Sequence, residues 1–357
     1  MTYFRPVGES QSAYFLLGRS KLYLGTSAED RCPYCFTIEF GQYLIRGLVA
    51  QAAPDGIKRI GGQTLEQGAT GSVTAPVTME YGPPPPELAD RISSLYAMQQ
   101  DSVDYDEVER SDRPQFRIML SGGGKYHFQT GAADPAFLVT IMGPTSGTVR
   151  GIGFGPMDIV GAGLNPAAWV ALMGADADRW VDRAIDATAV FGDSAMDLFE
   201  AVRLAASTQD RFTLICDFLD QATKAADTVA PFWFIRLVDE WLLERFDPQV
   251  ETLVERTGLG MRQIERLSKR YYGLPPKTLA RKYRALRAAA ALARGDSLDD
   301  LGMGESFYDQ SHLIRELKRF AGLTPQQIKN RESSLLTEIS TGRKSLAGLV
   351  GTLVSDA

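Results

Sequence analysis

The chain of 357 residues is long enough for two domains with their own cores, and its hydrophobic content (44%) and charged content (23%) are those of a globular protein. No apolar run reaches the ~18 residues that cross a bilayer, and the first residues lack a signal-peptide pattern. Three cysteines are too few for a disulfide framework. We therefore expect a cytoplasmic protein without a membrane segment. The net charge of −6 is unevenly divided along the chain. Residues 251–330 carry 15 Lys and Arg against 9 Asp and Glu, whereas residues 1–250 carry 20 against 32. This asymmetry favours a nucleic-acid partner for the C-terminal region alone.

Residues 1–165 are predicted to be rich in β-strands. Apolar and β-branched residues are concentrated in short segments separated by Gly and Pro. The predicted strand segments are residues 12–24, 35–49, 115–120, 126–129 and 136–142. Between two of them, residues 121–125 (Ser-Gly-Gly-Gly-Lys) are interpreted as a hairpin turn, because no Ser or Thr follows the Lys as a phosphate-binding loop requires.

Cys32 and Cys35 raise the question of redox or metal chemistry. With Pro33 and Tyr34 between them they match the redox motif of glutaredoxins, but that motif opens a helix, and residues 35–40 alternate as a strand does. A structural zinc site needs about four ligands, and the only further candidates are Cys216, His127 and His312. We predict no catalytic group, no metal site and no cofactor, while a regulatory disulfide or a metal contact at the cysteine pair stays open.

From Pro166 onward the pattern becomes helical. Apolar residues recur at helical spacing, and Asp, Ser and Gly stand at the segment ends. The predicted helices are residues 167–173, 178–190, 194–207, 209–226 and 232–246. The last of these is rich in Trp and Leu, and we expect it to open the next domain.

Residues 262–330 contain an internal repeat with an offset of 49 positions. Residues 262–281 align with residues 311–330, and identical residues fall on Arg, Lys, Gly, Leu and Pro positions. The identical pairs are Arg266 and Arg315, Lys269 and Lys318, Arg270 and Arg319, Gly273 and Gly322, Leu274 and Leu323, and Pro276 and Pro325. Because a repeated unit indicates a repeated task, we expect two copies of one functional device.

Each copy predicts an amphipathic helix that ends at a Gly and is followed by a Pro that opens another helix. Residues 324–327 (Thr-Pro-Gln-Gln) also read as a capping box. Shorter helices, at residues 249–257 and from Ser297 onward, precede the two basic helices. A short helix, a turn and an exposed basic helix form the helix-turn-helix arrangement, in which the second helix enters the DNA major groove. A long helix over residues 276–294 is predicted to separate the copies.

Residues 307–320 (Phe-Tyr-Asp-Gln-Ser-His-Leu-Ile-Arg-Glu-Leu-Lys-Arg-Phe), followed by Gly-Leu-Thr-Pro at 322–325, closely resemble the second helix-turn-helix of the AraC/XylS family of transcription regulators. Residues 260–267 are similar to the family's first unit. The resemblance covers about 100 residues, from 229 to 331, and implies an all-helical DNA-binding domain. Residues 150–156 and the helices after them loosely resemble an N-terminal domain found in such regulators, which by analogy of fold suggests a cupin-like barrel.

The resemblance implies which residues contact DNA. The expected set is Arg262, Gln263, Glu265, Arg266, Lys269 and Arg270 in the first copy, and Gln310, Ser311, His312, Arg315, Lys318 and Arg319 in the second. The resemblance implies base reading by Arg262, Glu265 and Arg266 and by Gln310, Ser311 and Arg315. Arg is suited to the paired acceptors of guanine and Gln to adenine. The basic residues near each helix end are expected to contact phosphates, and His312 to contact phosphate or cap its helix.

The chain departs from the family pattern just before the second basic helix. Gly302 and Gly304 stand where Ala is usual, and Ser306 stands where the turn Gly is usual. Two glycines in a short helix cost roughly 1 kcal/mol each relative to Ala, so the second copy is expected to contribute less specificity. Glu265 is an acid on a DNA-facing ridge, where it could accept from cytosine or pair with Lys269.

These observations predict an α+β protein. A strand-rich effector or oligomerisation domain is expected at residues 1–228, with strands to 165 and helices from 166. A DNA-binding domain at 229–331 and a tail at 332–357 follow it. The tail either forms one amphipathic helix around residues 335–349 or stays partly disordered. The expected function is sequence-specific regulation of transcription, with double-stranded DNA, RNA polymerase and a second copy of the chain as partners and a small-molecule effector as a further one. The alternative is a redox- or metal-responsive sensor that uses Cys32 and Cys35, with DNA binding as its output.

Overall fold

The computed structural model describes four short strands within residues 14–48 and then residues 77–174, 176–226, 231–298 and 310–355. The chain divides into two compact units, residues 1–71 and residues 72–357. The first unit contains two antiparallel strand pairs. They are β1 (Tyr14–Leu17) with β2 (Ser20–Tyr23), and β3 (Cys35–Phe40) with β4 (Tyr43–Leu48).

The second unit is built on an antiparallel sheet of eight strands, which confirms that the N-terminal part of the chain is strand-rich. The strands are β5 (Thr78–Gly82), β6 (Ile92–Gln100), β7 (Asp104–Glu109), β8 (Gln115–Phe128), β9 (Ala133–Pro135), β10 (Val139–Met142), β11 (Val149–Leu164) and β12 (Ala184–Asp186). Their order is β12-β10-β8-β11-β6-β5, with β7 beside β11 and β9 beside β8. In the described part of the chain these strands form an open path and do not close the cupin-like barrel that analogy suggested.

The hairpin turn predicted at residues 121–125 is wrong. These residues lie inside β8, which runs for 14 residues without reversing. Gly123 and Gly124 pair with Phe154 and Gly153 of β11, and the register shifts just beyond this point. Gly122 has a φ of 84°, a value that glycine adopts without steric penalty, and it lies at this irregularity, between the paired residues Ser121 and Gly123.

Four helices of the segment after β11 pack against the sheet. They are α1 (Pro166–Met173), α2 (Thr188–Phe191), α3 (Asp193–Leu204) and α4 (Thr208–Lys224). Phe116 and Val160 of the sheet, Trp169 of α1 and Ile215 of α4 are fully buried in their common core. Burial of this apolar surface is what holds the helical layer against the strands.

The helix predicted at residues 178–190 is also wrong, because its centre forms the edge strand β12. Ala184 and Ile185 pair with Met142 and Ile141 of β10. The Asp134 carboxylate accepts from the Arg183 side chain and from the Ala184 backbone N–H, both at 2.8 Å, which secures the strand. The helical spacing of the sequence was therefore overridden by tertiary pairing.

The C-terminal region is helical, and its described helices agree with most of the predicted ones. They are α5 (Phe232–Glu244), α6 (Val250–Thr257), α7 (Met261–Tyr272), α8 (Pro276–Arg294), α9 (Gln310–Phe320), α10 (Pro325–Lys329), α11 (Ser334–Ser345) and α12 (Thr352–Ser355). The basic helices α7 and α9 start 49 residues apart, which confirms the repeat. Gly273 and Gly322 adopt left-handed φ values of 76° and 85° after them, and Thr324 and Gln327 form the predicted capping box.

The tail forms a packed helix, so of its two predicted states the helical one is confirmed. Leu335 and Ile339 of α11 are buried against Tyr96, Met98 and other side chains of the sheet. The helix begins at the Ser333 cap, whose hydroxyl accepts from the Leu336 N–H. Among the helices of the described residues, none has the length and apolar character needed to cross a membrane.

Candidate nucleic-acid interface

Helix α7 presents a continuous ridge of polar and charged side chains to solvent. All six residues predicted to contact DNA are exposed: Arg262, Gln263, Glu265, Arg266, Lys269 and Arg270. The opposite face buries Ile264, Ser268, Tyr271 and Tyr272. This separation follows from the helical period, since the buried residues recur every three or four positions.

A core of large side chains fixes α7 in place. Tyr272 lies within it, and its hydroxyl donates to the Ile235 carbonyl at 2.9 Å and to the Asp239 carboxylate at 3.1 Å, both on α5. Burial raises the pKa of Tyr272 well above its usual value, so this hydroxyl stays protonated as a donor. Trp241 is also fully buried and donates to the Gln249 carbonyl at 2.8 Å, which fixes the start of α6.

Helix α9 carries a shorter exposed ridge. Gln310, Ser311, Arg315 and Lys318 are exposed, whereas His312 and Arg319 are half-buried. Leu317 and Phe320 are fully buried on the opposite face. Four of the six predicted contact residues of the second copy are therefore open to solvent, and two are turned towards the rest of the protein.

A buried carboxylate, Glu316, holds α9 on α8, and the sequence reasoning did not single it out. Glu316 accepts from Arg281 Nε at 2.7 Å and from Arg284 Nη2 at 2.9 Å. His312 Nε2 lies 3.2 Å from the same carboxylate, one helical turn away. This places His312 at a contact that orients its own helix. A signal was present, since His312 and Glu316 stand four residues apart on a helix.

The sheet contacts the C-terminal end of α9 through backbone hydrogen bonds. The Ser111 N–H donates to the Phe320 carbonyl at 2.7 Å, and the Thr148 N–H donates to the Arg319 carbonyl at 3.1 Å. Arg319 Nε donates in turn to the Ser146 carbonyl at 3.3 Å. Helix-end carbonyls lack partners within the helix, so the sheet loops satisfy groups that would otherwise need water.

The sheet also contacts the C-terminal end of α7. A Cβ atom at Gly273 would lie 2.5 Å from a ring carbon of Pro144, which shows how closely the loop approaches. Arg270 forms an ion pair with Asp176 at 3.2 Å. Residues 144–148 therefore lie against the ends of both basic helices. Two predicted phosphate ligands, Arg270 and Arg319, have partners on this side.

The spacer helix α8 is held by the same loops. The Lys282 ammonium donates to the carbonyls of Asp112 and Thr145, the latter at 2.9 Å, and only 2% of Lys282 is exposed. Burial lowers the pKa of Lys282 to about 7. Arg113 Nε donates to the Tyr283 hydroxyl at 2.8 Å. Both basic helices and the spacer between them therefore contact the loops at one end of the sheet.

The predicted departures before the second basic helix lie outside the described residues. This concerns Gly302, Gly304 and Ser306, and the motif residues 307–309. Cys32, on which the redox- or metal-sensing alternative depends, also lies outside the described residues. Cys35 is described only as the first residue of β3. Both stay predictions. Glu265 and Lys269 are described, and they do not form an ion pair.

Comparison with known proteins identified one protein family in the C-terminal region. A family model described as a helix-turn-helix domain matches residues 253–331, a range that includes α7, α8 and α9. A solved structure titled "Crystal structure of the AraC-like transcriptional activator CuxR" shares 15% identity over 63% of this chain and 90% of that chain, with a TM-score of 0.28. No match was found among the curated proteins.

Proposed function

We propose, from the premise that residues 253–331 form an AraC-type helix-turn-helix domain, that the protein regulates transcription by reading a specific DNA sequence with α7 and α9. The observation that carries the proposal is that two equivalent exposed basic helices flank one rigid spacer. Helix α8 has 19 residues and therefore extends about 28 Å. Successive major-groove segments on one face of DNA lie about 34 Å apart, so the spacer has a length suited to two adjacent segments.

We assign base reading to the exposed side chains near the start and middle of each helix. Arg262 and Arg266 would donate to guanine from α7, and Gln310 and Arg315 would contact bases from α9. Lys269 and Lys318, which are exposed near the helix ends, would contact phosphates. Arg270 and Arg319 would contribute less, because each has a partner within the protein.

Paired substitutions on α7 test this assignment. Arg262→Ala should weaken binding to the selected sequence by roughly 1–3 kcal/mol and relax preference at one base position. Lys269→Ala should weaken all sequences about equally and reduce the salt slope by about one unit. Equal effects of both variants on selected and random DNA would contradict the assignment. Lys224→Ala, on α4 and remote from α7 in sequence, is the control for loss of a surface charge.

We further propose that the sheet region controls this DNA binding. Residues 144–148 lie against the ends of both α7 and α9, so a displacement of this loop would change the position of both helices together. Removing the two hydrogen bonds that Asp182 accepts from Ser146 tests the control. Asp182→Gly removes both acceptors and suits the φ of 57° at this position. It should alter DNA affinity without removing any DNA-facing group, and an unchanged affinity with an altered loop would contradict the proposal.

A small-molecule effector, a homodimer and a contact with RNA polymerase stay predictions that rest on the family resemblance. The redox- or metal-responsive alternative is separated from them by replacing Cys32 and Cys35 with Ser. If oxidant and chelator leave DNA binding unchanged in the natural protein and in the double Ser variant, that alternative is excluded.

A further inference from the structure

A small cavity lies between the sheet and α11, away from the exposed ridges of α7 and α9. Its volume is about 30 Å³. Its wall includes Tyr81 of β5, Arg110 and Gln115 on either side of the β7–β8 turn, and Ile339 and Arg343 of α11. Arg117 and the carboxylate residues Glu109 and Asp112 also line it. About 10–15 Å³ holds one water molecule by this measure, so the cavity has room for a group of one to three heavy atoms.

Positive charge is in excess beside this cavity. Arg110 and Arg343 are 4% and 7% exposed, and both rely on the carboxylate of Asp112. Arg343 forms hydrogen bonds with that carboxylate, while Arg110 Nη2 lies 3.7 Å from it. The nearby Arg117 has its own bidentate partner in Glu109 and does not need this charge. Two buried guanidinium groups therefore share one carboxylate.

A third cation, Lys282, lies on the other side of Asp112, where it donates to the backbone carbonyl of that residue. Asp182 is a further negative charge that acts on Lys282. Burial and the neighbouring Arg343 charge lower the pKa of Arg110 to about 10. The pKa falls because the nearby negative charge does not fully offset the positive charge of the buried guanidinium group. Although burial opposes ionisation of Asp112, Arg343 and Arg110 hold its pKa well below the usual range.

Hydrogen-bond donors at the cavity lack partners. Arg110 Nε and Nη2 and Arg343 Nε are buried without a hydrogen bond, and so is the Gln115 side-chain oxygen. A buried donor without a partner costs about 1–3 kcal/mol, and more when it is charged. Three such donors belong to Arg110 and Arg343, two residues that line the cavity, and they are chemically complementary to an anion.

We propose that this cavity binds one small monovalent anion, of the size of chloride or formate, between Arg110 and Arg343. The anion accepts hydrogen bonds from the unpartnered N–H groups and neutralises the excess positive charge. A half-turn of the Gln115 amide adds an N–H donor. The volume excludes larger anions such as gluconate, and the guanidinium groups exclude cations.

Anion binding at this position has a consequence for the DNA-binding domain. Arg343 belongs to α11, which follows the helix-turn-helix domain directly, whereas Arg110 follows the last residue of β7 in the sheet region. The anion therefore strengthens the contact between these two parts of the second unit. That the contact also tunes DNA binding rests on the proposed function, but the binding of the anion does not.

Thermal unfolding of the full chain at constant ionic strength tests the proposal. Replacing sodium gluconate with sodium formate should raise the unfolding midpoint by roughly 2–4 °C for each tenfold increase above the dissociation constant. Arg110→Gln should abolish this dependence. Arg150→Gln, which removes an exposed Arg paired with Asp106, should retain it. A dependence that is identical in all three proteins would overturn the proposal, because it would reflect general salt effects.

A second measurement uses the folded protein at one temperature. The ³⁵Cl resonance should broaden when the natural protein is added to sodium chloride, and formate should reverse the broadening by competition. Absence of broadening, or broadening that formate leaves unchanged or that Arg110→Gln retains in full, would mean that chloride does not bind in this cavity. Loss of DNA binding with intact chloride broadening would contradict the proposed function and leave the anion site standing.

Discussion

Helices α7 and α9 are copies in sequence, but the protein holds them by different physical means. In α7 the position equivalent to Glu316 is Leu267, and apolar and aromatic side chains support the helix. In α9 the same position carries a buried carboxylate surrounded by Arg281, Arg284 and His312. The comparison shows that a repeated exposed surface does not require a repeated core. It also predicts that the two helices respond differently to substitution.

The largest effect is expected at Glu316, because its removal takes a buried carboxylate away from the buried Arg284 and from Arg281. Breaking a buried ion pair from one side costs about 3–5 kcal/mol, and the remaining contact of Arg284 with Asp247 favours the lower end. Glu316→Ala should therefore reduce the free energy of unfolding, measured by urea titration, by about 3 kcal/mol. Glu251→Ala, at an exposed position of α6, is the control and should change it by less than about 0.5 kcal/mol. A similar small loss for both would show that the Glu316 network does not secure α9.

A smaller effect is expected at the corresponding support of α7. Tyr272→Phe removes the hydroxyl that donates to Ile235 and Asp239 and leaves the ring in place. The expected loss is about 1–2 kcal/mol, since acceptors on α5 lose a buried donor. Tyr271→Phe is the matched control on the same helix and should be nearly neutral. A larger loss of unfolding free energy in Tyr272→Phe than in Glu316→Ala would contradict the inference that α9 depends more strongly on its polar support than α7 does.

The spacer helix should respond to pH, because Lys282 is buried and its pKa is lowered to about 7. In the unfolded chain this group keeps a pKa near 10.4, so between pH 7 and 10 the unfolded state binds more protons than the folded state. The free energy of unfolding should therefore rise with pH in this window, and the stability gained in this way is lost as pH falls through 7. Asp112, Asp182, Arg110 and Arg113 are the charged groups that act on it.

Chemical denaturation at pH 7, 8 and 9 checks this expectation, and Lys282→Met is the reference. The difference in unfolding free energy between the natural protein and Lys282→Met should move in favour of the natural protein as pH rises. The range ends at pH 9 because burial raises the pKa of Cys216 to about 11, which opposes stability at higher pH. A constant difference across the range would show that Lys282 does not titrate there.

The smallest effect is expected at the exposed pair of Arg270 and Asp176. Surface ion pairs contribute about 0–1 kcal/mol, so Asp176→Asn should leave stability almost unchanged. It should instead release Arg270 on α7 and increase affinity for random DNA, with a salt slope steeper by up to about one unit. Asp178→Asn is the control two positions away. Equal DNA affinity in the two variants would mean that Asp176 does not restrain Arg270.

The exposed ridges could be predicted from the sequence because they depend on local periodicity and on a repeated motif. The bounds of α8, the glycine helix ends at Gly273 and Gly322 and the Thr324 capping box followed from the same local rules. The long-range contacts could not be predicted in this way. The Glu316 network and the hydrogen bonds of residues 111 and 148 to α9 join residues far apart in sequence.

Two wrong predictions have the same cause. The glycine run in β8 was interpreted as a turn, and the segment that forms β12 was interpreted as helix, because only local signals were weighed. In each case pairing with a neighbouring strand determined the conformation. Register against β11 and β10 depends on the whole sheet, so a local window of sequence does not contain it.

The central claim, that α7 and α9 both read DNA, is tested most directly by selecting bound sequences from a random DNA pool with the full-length protein at two salt concentrations. We predict a motif with two preferred blocks about one helical turn apart, retained at the higher salt because base contacts supply the specificity. A single block would contradict reading by α9, and absence of enrichment at both salt concentrations would contradict the claim for both helices.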